Sequence, residues 1–533
     1  MEKSVLEGVP TPVVEYISNL ENKIEALSTQ VDKLTELLVL AQKSRFGSSS
    51  EKIKYILSED YAQDTLFNEA EVCADEDAPE PVIIEQHTRK PKRTKEELAK
   101  DLPVKEVIID LPEDERVCNI CEGDIHAIGR EFVRRELEFI PAQAYVTDTY
   151  RVNYSCKDCK AETDEANIIK PAVPVAVVKR GLASPSSAAH VMYQKFVNAM
   201  PLNRQSKDWE TFGVKISRAT LANWIIYTSD HWLLPLWSSW KDELLKSPVI
   251  HADETTIQVL KEHGKTPQSK SQMWVYCTGR ASGSPPIVLF EYQTGRSGDH
   301  PKAFLKGVKD IYLHSDGYSG YNAVDNVIHC GCWAHQRRKF EEAMPKNAPK
   351  ENNARKGLEF CQQLFALEKS FADLTPEERL EKRIEQSKPV LDAYYDWIEN
   401  RKPLAGAKFG AALVYAVNQK RQLSAFLLDG RVEISNNRVE NMIRPFTLGR
   451  KNWMFADTPR GAKASAVAYS VIETAKANGL NPYQYLLYLF TTLPTVLTKN
   501  PLVELSSFYP WAGEVQEKCQ FAQDVKGQFT LLG

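Results

Sequence analysis

Nowhere in its 533 residues does the chain carry an apolar run long enough to span a bilayer. The longest, YQYLLYLFTTLPTVL at 483–497, contains Tyr and Thr and is interrupted by Pro494. It reads as a core helix, because a span needs about 20 apolar residues. An N-terminal signal pattern is also missing, so a cytoplasmic protein with no membrane contact is expected. Excess charge of either sign is lacking: 67 Lys and Arg stand against 71 Asp and Glu, a net −4. That balance does not advertise a nucleic-acid binder, but local patches do the binding in a chain of several domains. Cysteine is sparse, and four of the ten residues fall in two CxxC pairs. That usage suits a reducing compartment and a metal better than a disulfide framework. The remainder, 43% hydrophobic and 26% charged, is ordinary globular protein. The length implies roughly three or four domains.

Residues 13–43 carry a heptad. Ile17, Ile24, Val31 and Leu38 share one seam position; Leu20, Leu27, Leu34 and Ala41 share the other. Branched residues at the first and Leu at the second favour a parallel two-stranded coiled coil. An amphipathic helix packed within its own chain is the alternative, but a register held over three heptads favours a homodimer or larger assembly. Residues 1–65 therefore read as a dimerisation region. Residues 66–103 read as a charged linker, acidic over 69–86 and basic in HTRKPKRTK at 87–95, either solvated or touching phosphates. Within 104–175, CNIC at 118–121 and CKDC at 156–159 flank two strand-like stretches, EFVRRELEFI and YVTDTYRVNYS. Val146, Tyr150, Val152 and Tyr154 sit on one alternating face of the second. A β-hairpin would return the second pair beside the first. Cys118, Cys121, Cys156 and Cys159 are then expected to close a tetrahedral structural Zn2+ site, against the alternative of four unligated buried thiols.

Residues 176–232 read as helical. ETFGVKISRATLANWI at 210–225 has the cadence of a helix-turn-helix, with Gly213 at the turn, Ser217 as cap, and Leu221, Trp224 and Ile225 buried. Such a unit can place a helix in the major groove of double-stranded DNA, although a plain three-helix packing unit reads the same way. From 248 the pattern changes. PVIHADETTIQVL, QMWVYCTGR and SPPIVLFEYQT read as three successive strands, PKAFLKGV as a short helix, DIYLHSDGYSGYN as a fourth strand ending in an acidic turn, and NVIHCGCWAHQRRKF as a fifth strand entering a basic helix. That order is expected of a multidomain α/β protein with a ribonuclease-H-like core. Asp253 lies on the first strand and Asp316 at the end of the fourth, and those strands are neighbours in that fold.

SNNRVENMIRPFTLGRKNWMF at 435–455 supplies a third carboxylate. Val439, Met442, Ile443 and Phe446 form a buried helical stripe, Ser435 is a reasonable N-cap, and Pro445 is expected to end or kink the helix. Packed beside the strands, this helix brings in Glu440, with Asn436, Asn437 and Arg444 to position it or a phosphate. Asp253, Asp316 and Glu440 can together hold two Mg2+ or Mn2+ ions about 3.5–4 Å apart, the arrangement for in-line attack at a phosphodiester. Glu254 is left open as a substitute for Asp253. HCGCWAH at 329–335 can be read as a metal site, but alternating cysteines on one buried strand are favoured. Trp333 is read as core, with stacking on an unpaired base as the other option.

Taken together, HADET, HSDGYSGY, CGCWAHQRRKF, NNRVENMIRPFTLGRKNWMF and VIETAKANGLNPYQYL resemble the large transposase of the insertion-sequence family numbered sixty-six. RFGSSSEK at 45–52, PLNRQ at 201–205, the heptad and the double CxxC extend the resemblance over nearly the whole chain. It implies that Asp253, Asp316 and Glu440 are the aspartate-aspartate-glutamate triad of a metal-dependent DNA transposase. It further implies binding of the element's terminal inverted repeats, cleavage, and strand transfer into target DNA. Residues 233–340 and 431–478 would form the ribonuclease-H-like core, 341–430 a helical insertion, and 479–533 a C-terminal helical region. The Tyr-Arg-Glu-Lys spacing of some related transposases is absent around Glu440. Arg444, Arg450 and Lys451, then Arg337, Arg338 and Lys339, are the DNA-gripping candidates, each with a solvated surface charge as its alternative. Small accessory proteins of such elements are further candidate partners. A nuclease that cuts without joining, or a non-catalytic DNA-binding regulator, are the rival readings.

Overall fold

The computed structural model of the chain describes residues 144–155, 168–169, 171–345, 352–401 and 407–521. The heptad, the charged linker and the four CxxC cysteines lie outside the described residues. Of the alternating stretch expected as a strand, Tyr154–Ser155 pairs antiparallel with Ile168–Ile169 among the described residues, and the other stretch, EFVRRELEFI at 131–140, lies outside them. Tyr145, Val146 and Tyr150 of the alternating stretch are exposed.

Among the described residues the first helices are α1 Pro185–Phe196, α2 Leu202–Thr211, α3 Arg218–Thr228 and α4 Leu234–Leu244, the last two joined by a π-helical turn, Ser229–Leu233. As the sequence suggests, Gly213 turns the chain, at φ +82, and Ser217 caps α3 by accepting from the Thr220 N–H at 3.1 Å. The buried face of α3, Leu221, Trp224 and Ile225, joins the same apolar core as the central sheet.

That sheet is built from β1 Val249–Val259, β2 Lys270–Thr278, β3 Val288–Gln293, β4 Ile311–His314 and β5 Val327–Cys330, with α5 Asp299–Phe304 between β3 and β4. Its spatial order is β3-β2-β1-β4-β5, antiparallel among the first three and parallel from β1 to β5. All but the first residue of β2 are buried. That is the continuous apolar run of a strand covered on both faces.

After β5 the chain leaves the sheet. The helices α6 Trp333–Ala343, α7 Asn353–Ser370, α8 Pro376–Lys382, α9 Lys388–Glu399, α10 Lys408–Asn418 and α11 Lys420–Leu423 enclose a second core around Trp333, Phe340, Leu364 and Tyr394. Inside this excursion Arg383, fully buried, forks onto Glu368 at 2.7 and 2.6 Å and donates to the carbonyls of Phe426 and Asp429 at 2.8 and 3.1 Å.

The chain then returns through α12, Asn437–Trp453. The expected N-cap fails here, and so does an end at Pro445, one of the two outcomes expected there. The N-cap residue is Asn436, not Ser435, and the helix runs through Pro445 without ending. A mid-helix proline costs about 3 kcal/mol. Val439, Ile443 and Phe446 lie on both sides of it and are all buried in the sheet's core, which holds the helix together across the missing hydrogen bond. A two-residue strand, β6 Phe455–Ala456, pairs with the far end of β1. Helix α13, Pro459–Ala477, then covers the outer edge of the sheet. Its Ser470 and Thr474 hydroxyls accept the N–H groups of Phe290 and Val288 at 2.7 and 3.0 Å, protecting an edge that would otherwise pair with another chain. The run at 483–497 lies in a single helix, α14 Pro482–Lys499, packed on this core. Among the described residues no helix is long and apolar enough to cross a membrane.

Candidate active site

Asp253 lies on β1, Asp316 two residues beyond β4, and Glu440 in the first turn of α12. Strands β1 and β4 run parallel with His251 opposite His314, so the chain reaches both aspartates at the same level. All three acids are half-buried. Burial pushes the Asp253 carboxyl well above its usual range, and the charges of Glu254, Asp316 and Glu440 push it further. The Glu440 side chain is 13% exposed, and its Oε1 is buried with no hydrogen-bond partner. Carboxylates whose negative charges bear on one another at Asp253 are a fitting donor set for a hard divalent cation.

Glu254 has a different occupation. Its Oε1 accepts from Arg296 Nε at 2.7 Å and lies 2.6 Å from Nη2, while Oε2 accepts from the Tyr321 hydroxyl at 2.6 Å. Burial and then the Asp316 charge raise its carboxyl to about 7, against the opposing pull of Arg296 and Tyr321. The Arg296 guanidinium lies 4.0 Å from the centre of the Tyr318 ring, and the Tyr318 hydroxyl donates to the Arg296 carbonyl. The Tyr318 N–H in turn donates to Asp316 Oδ1 at 2.9 Å. Glu254 thus clamps the turn that carries Asp316. That turn needs Gly317, at φ +93. The excursion covers it from the other side: the Tyr415 hydroxyl on α10 donates to the Asp316 carbonyl at 3.0 Å, and the Gln419 side chain lies 3.3 Å from where a Cβ on Gly317 would stand.

Beneath the acids is a polar layer that the sequence reading did not anticipate. The His251 and His314 rings stack at 4.8 Å and 7°. His251 Nδ1 meets Asn436 Oδ1 at 2.9 Å, and its Nε2 meets the Glu433 carboxylate. His314 Nε2 donates to the Glu433 carbonyl at 2.9 Å, and Asn436 Nδ2 donates to the Ala252 carbonyl at 3.1 Å. Burial would raise Glu433, but His251, Arg438 and His314 outweigh it and hold the carboxyl at about 2. Burial, then His251, lowers the His314 imidazole to about 3. The layer ties the start of α12 to β1 and β4, and so sets where Glu440 stands. The one available signal was a histidine two residues before each aspartate, in HADET and HSDGY.

HCGCWAH also differs from expectation. Cys330 ends β5, but Cys332 has left the strand and occupies the N-cap of α6, because the Gly331 N–H pairs with the Gln422 carbonyl at 2.9 Å. Trp333 is fully buried and donates to the Leu423 carbonyl at 2.9 Å, which makes it core and removes it from base stacking. His335, one turn on, places Nδ1 3.6 Å from Glu440 Oε1. Burial would lower its imidazole, but Cys332, Glu440 and Asp316 outweigh this and raise it to about 9.

The basic candidates divide by environment. Arg337 pairs with Glu341 at 3.0 Å, and Lys339 lies 4.9 Å from the Tyr415 ring centre. Arg338 is half-buried on the same helix. Arg444 lines a 420 Å³ hollow with Asn198, Asn441 and Lys476. Arg450 donates to the hydroxyls of Thr255 and Thr256 at 3.2 and 2.9 Å and to the Thr256 carbonyl, so it anchors the end of α12 to β1. Lys451 is exposed.

Residues 180–464 match the family model described as Transposase IS66 family. Residues 115–160, which include all four CxxC cysteines, match the zinc-finger binding domain of transposase IS66. Residues 470–511 match the IS66 C-terminal element, and 33–107 the model described as Transposase C of IS166 homeodomain. The curated protein y4hP of Sinorhizobium fredii (strain NBRC 101917 / NGR234) is 28% identical over 510 residues, covering 92% of this chain and 88% of that protein. Protein y4qI of the same organism is 27% identical over 529 residues, covering 96% and 94%.

Proposed function

The chain belongs to the IS66 transposase family, and from that premise we propose that Asp253, Asp316 and Glu440 are the triad with which it cuts and joins DNA at the ends of its element. The observation that carries the reading is the convergence of these three carboxylates from β1, the β4 turn and α12. The sheet order β3-β2-β1-β4-β5, with only its first three strands antiparallel, supports a ribonuclease-H-like core. The triad would hold Mg2+ or Mn2+, which when bound supplies the Lewis acidity that two-ion phosphoryl transfer needs.

The chain's own residues do the rest. Glu254, Arg296, Tyr318 and Tyr321 hold the Asp316 turn in place. The His251, Glu433 and Asn436 layer holds the first turn of α12, and Arg450 holds its last. Water first frees a 3′-hydroxyl at each end, and that hydroxyl then attacks target DNA, so no covalent protein–DNA intermediate is required. Arg444 and Lys451, with Arg337, Arg338 and Lys339 on α6, contact phosphate and fix the register of the duplex without reading sequence. The helix-turn-helix-like segment and the zinc module at Cys118, Cys121, Cys156 and Cys159 read the terminal repeats. The N-terminal heptad pairs two chains and hence two ends, and the protein works in the cytoplasm on nucleoid DNA.

A supercoiled plasmid carrying the element's ends tests the reading. Wild-type protein is expected to give end-specific nicks and joined products with Mg2+ or Mn2+ and none without metal. Glu440→Gln is expected to give neither product. Equal activity in that variant would remove Glu440 from the chemistry.

A further inference from the structure

We infer that Cys332, His335 and Glu440 form a second metal site beside the carboxylate triad, one suited to a zinc-class ion. One ligand atom from each residue lies within 4.8 Å of the others. Zn–N, Zn–O and Zn–S bonds of about 2.0–2.3 Å place tetrahedral ligands roughly 3.3–3.8 Å apart, so only a small closure is needed. Two of the three atoms already meet that spacing, His335 Nδ1 and Glu440 Oε1 at 3.6 Å. Both are buried and lack a hydrogen-bond partner, a costly condition that a shared cation relieves. The donors are also of the right kind. Thiolate, imidazole and one carboxylate select zinc, whereas all-oxygen sets select magnesium. Two contacts fix where the Cys332 sulfur stands. Cys332 stands at the N-terminus of the eleven-residue helix α6, and its Sγ accepts the Asn436 N–H at 3.1 Å. Cys332 and His335 share one face of α6 by their three-residue spacing. Three protein ligands leave the fourth position for solvent.

The site shares Glu440 with the triad, so an ion held there withdraws one carboxylate from magnesium. Zinc should therefore inhibit DNA cleavage, a consequence that rests on the function proposed above; the site itself does not.

Full-length protein with its CxxC module already loaded is equilibrated with micromolar Zn2+, freed of excess by gel filtration and assayed for bound metal. Wild type is expected to hold one zinc per chain more than Cys332→Ser or His335→Gln, whose folding is checked by circular dichroism. Co2+ given in place of the micromolar Zn2+, to wild type with only its CxxC module zinc-loaded, should give a single-thiolate charge-transfer band that Cys332→Ser lacks. Equal zinc in all three proteins, or a cobalt band unchanged by Cys332→Ser, would overturn the site. Zinc that fills the site without slowing Mg2+-dependent cleavage would leave the site standing and refute the role given to Glu440.

Discussion

Glu254 offers a measurement in which pH, metal and a single substitution must agree. Its carboxyl is raised from 4.5 to about 7 by burial and by Asp316. A carboxyl raised in the folded state adds stability below its unfolded pKa and loses it as pH climbs through the folded value. The window for Glu254 therefore runs from about 4.5 to about 7, and Asp253 acts in the same direction. The Glu254 gap corresponds to about 3 kcal/mol, and the side chain is only 1% exposed, so solvent screens little of it. At about 2–4 °C per kcal/mol for a domain of this size, Mg2+-free protein should melt roughly 6–12 °C lower at pH 8 than at pH 5 on this account. The wild-type slope also contains His314, whose lowered pKa acts in the opposite sense, and His335, whose raised pKa acts in the same sense. Glu433 is held so low that its window lies below this range. Comparison with Glu254→Gln cancels these terms and isolates the clamp. Added Mg2+ should recover more of the melting temperature at pH 8 than at pH 5, because fewer protons then compete for the acids. A Glu254→Gln protein with the full wild-type slope in scanning fluorimetry would refute the reasoning.

Tyr415→Phe removes the hydroxyl that holds the Asp316 carbonyl, a bond worth about 1 kcal/mol; a several-fold higher Mg2+ requirement for end cleavage is expected, and an unchanged requirement would detach α10 from the site. Arg383→Ala strands Glu368 and two carbonyls inside the excursion. It should cost about 3–5 kcal/mol by denaturant titration, and a loss under 1 kcal/mol would contradict the burial. Lys451→Ala should weaken DNA binding equally for end and random sequences and reduce the salt slope by about 1, readable by fluorescence anisotropy at several salt concentrations. Arg450→Ala should instead lower the melting temperature, since its donors are committed to β1.

The elements with a long, regular pattern were legible in the sequence. Strand β1, the β4 turn with Asp316 and the buried stripe of α12 follow directly from alternation and helical spacing. Where the reading failed, tertiary contact overruled a local rule. Pro445 is carried through a helix by the core on both sides of it, and Cys332 leaves its strand because Gly331 pairs with Gln422. The His251, His314, Glu433 and Asn436 layer joins residues from β1, β4 and the approach to α12, so no sequence window contains it. Arg450 and Lys451 are neighbours of the same charge. Only the position of the threonines on β1 makes the first an anchor and leaves the second in solvent.

The hydrogen bond from Asn436 to Cys332 joins residues 104 positions apart. A ribosome adding about 5–20 residues per second takes roughly 5–20 s to cover that distance. For that time the nascent chain holds Asp253 and Asp316 without Glu440, and the whole excursion must emerge before α12 can dock. The three carboxylates of the proposed triad therefore cannot come together until the excursion and the first turn of α12 have both been made.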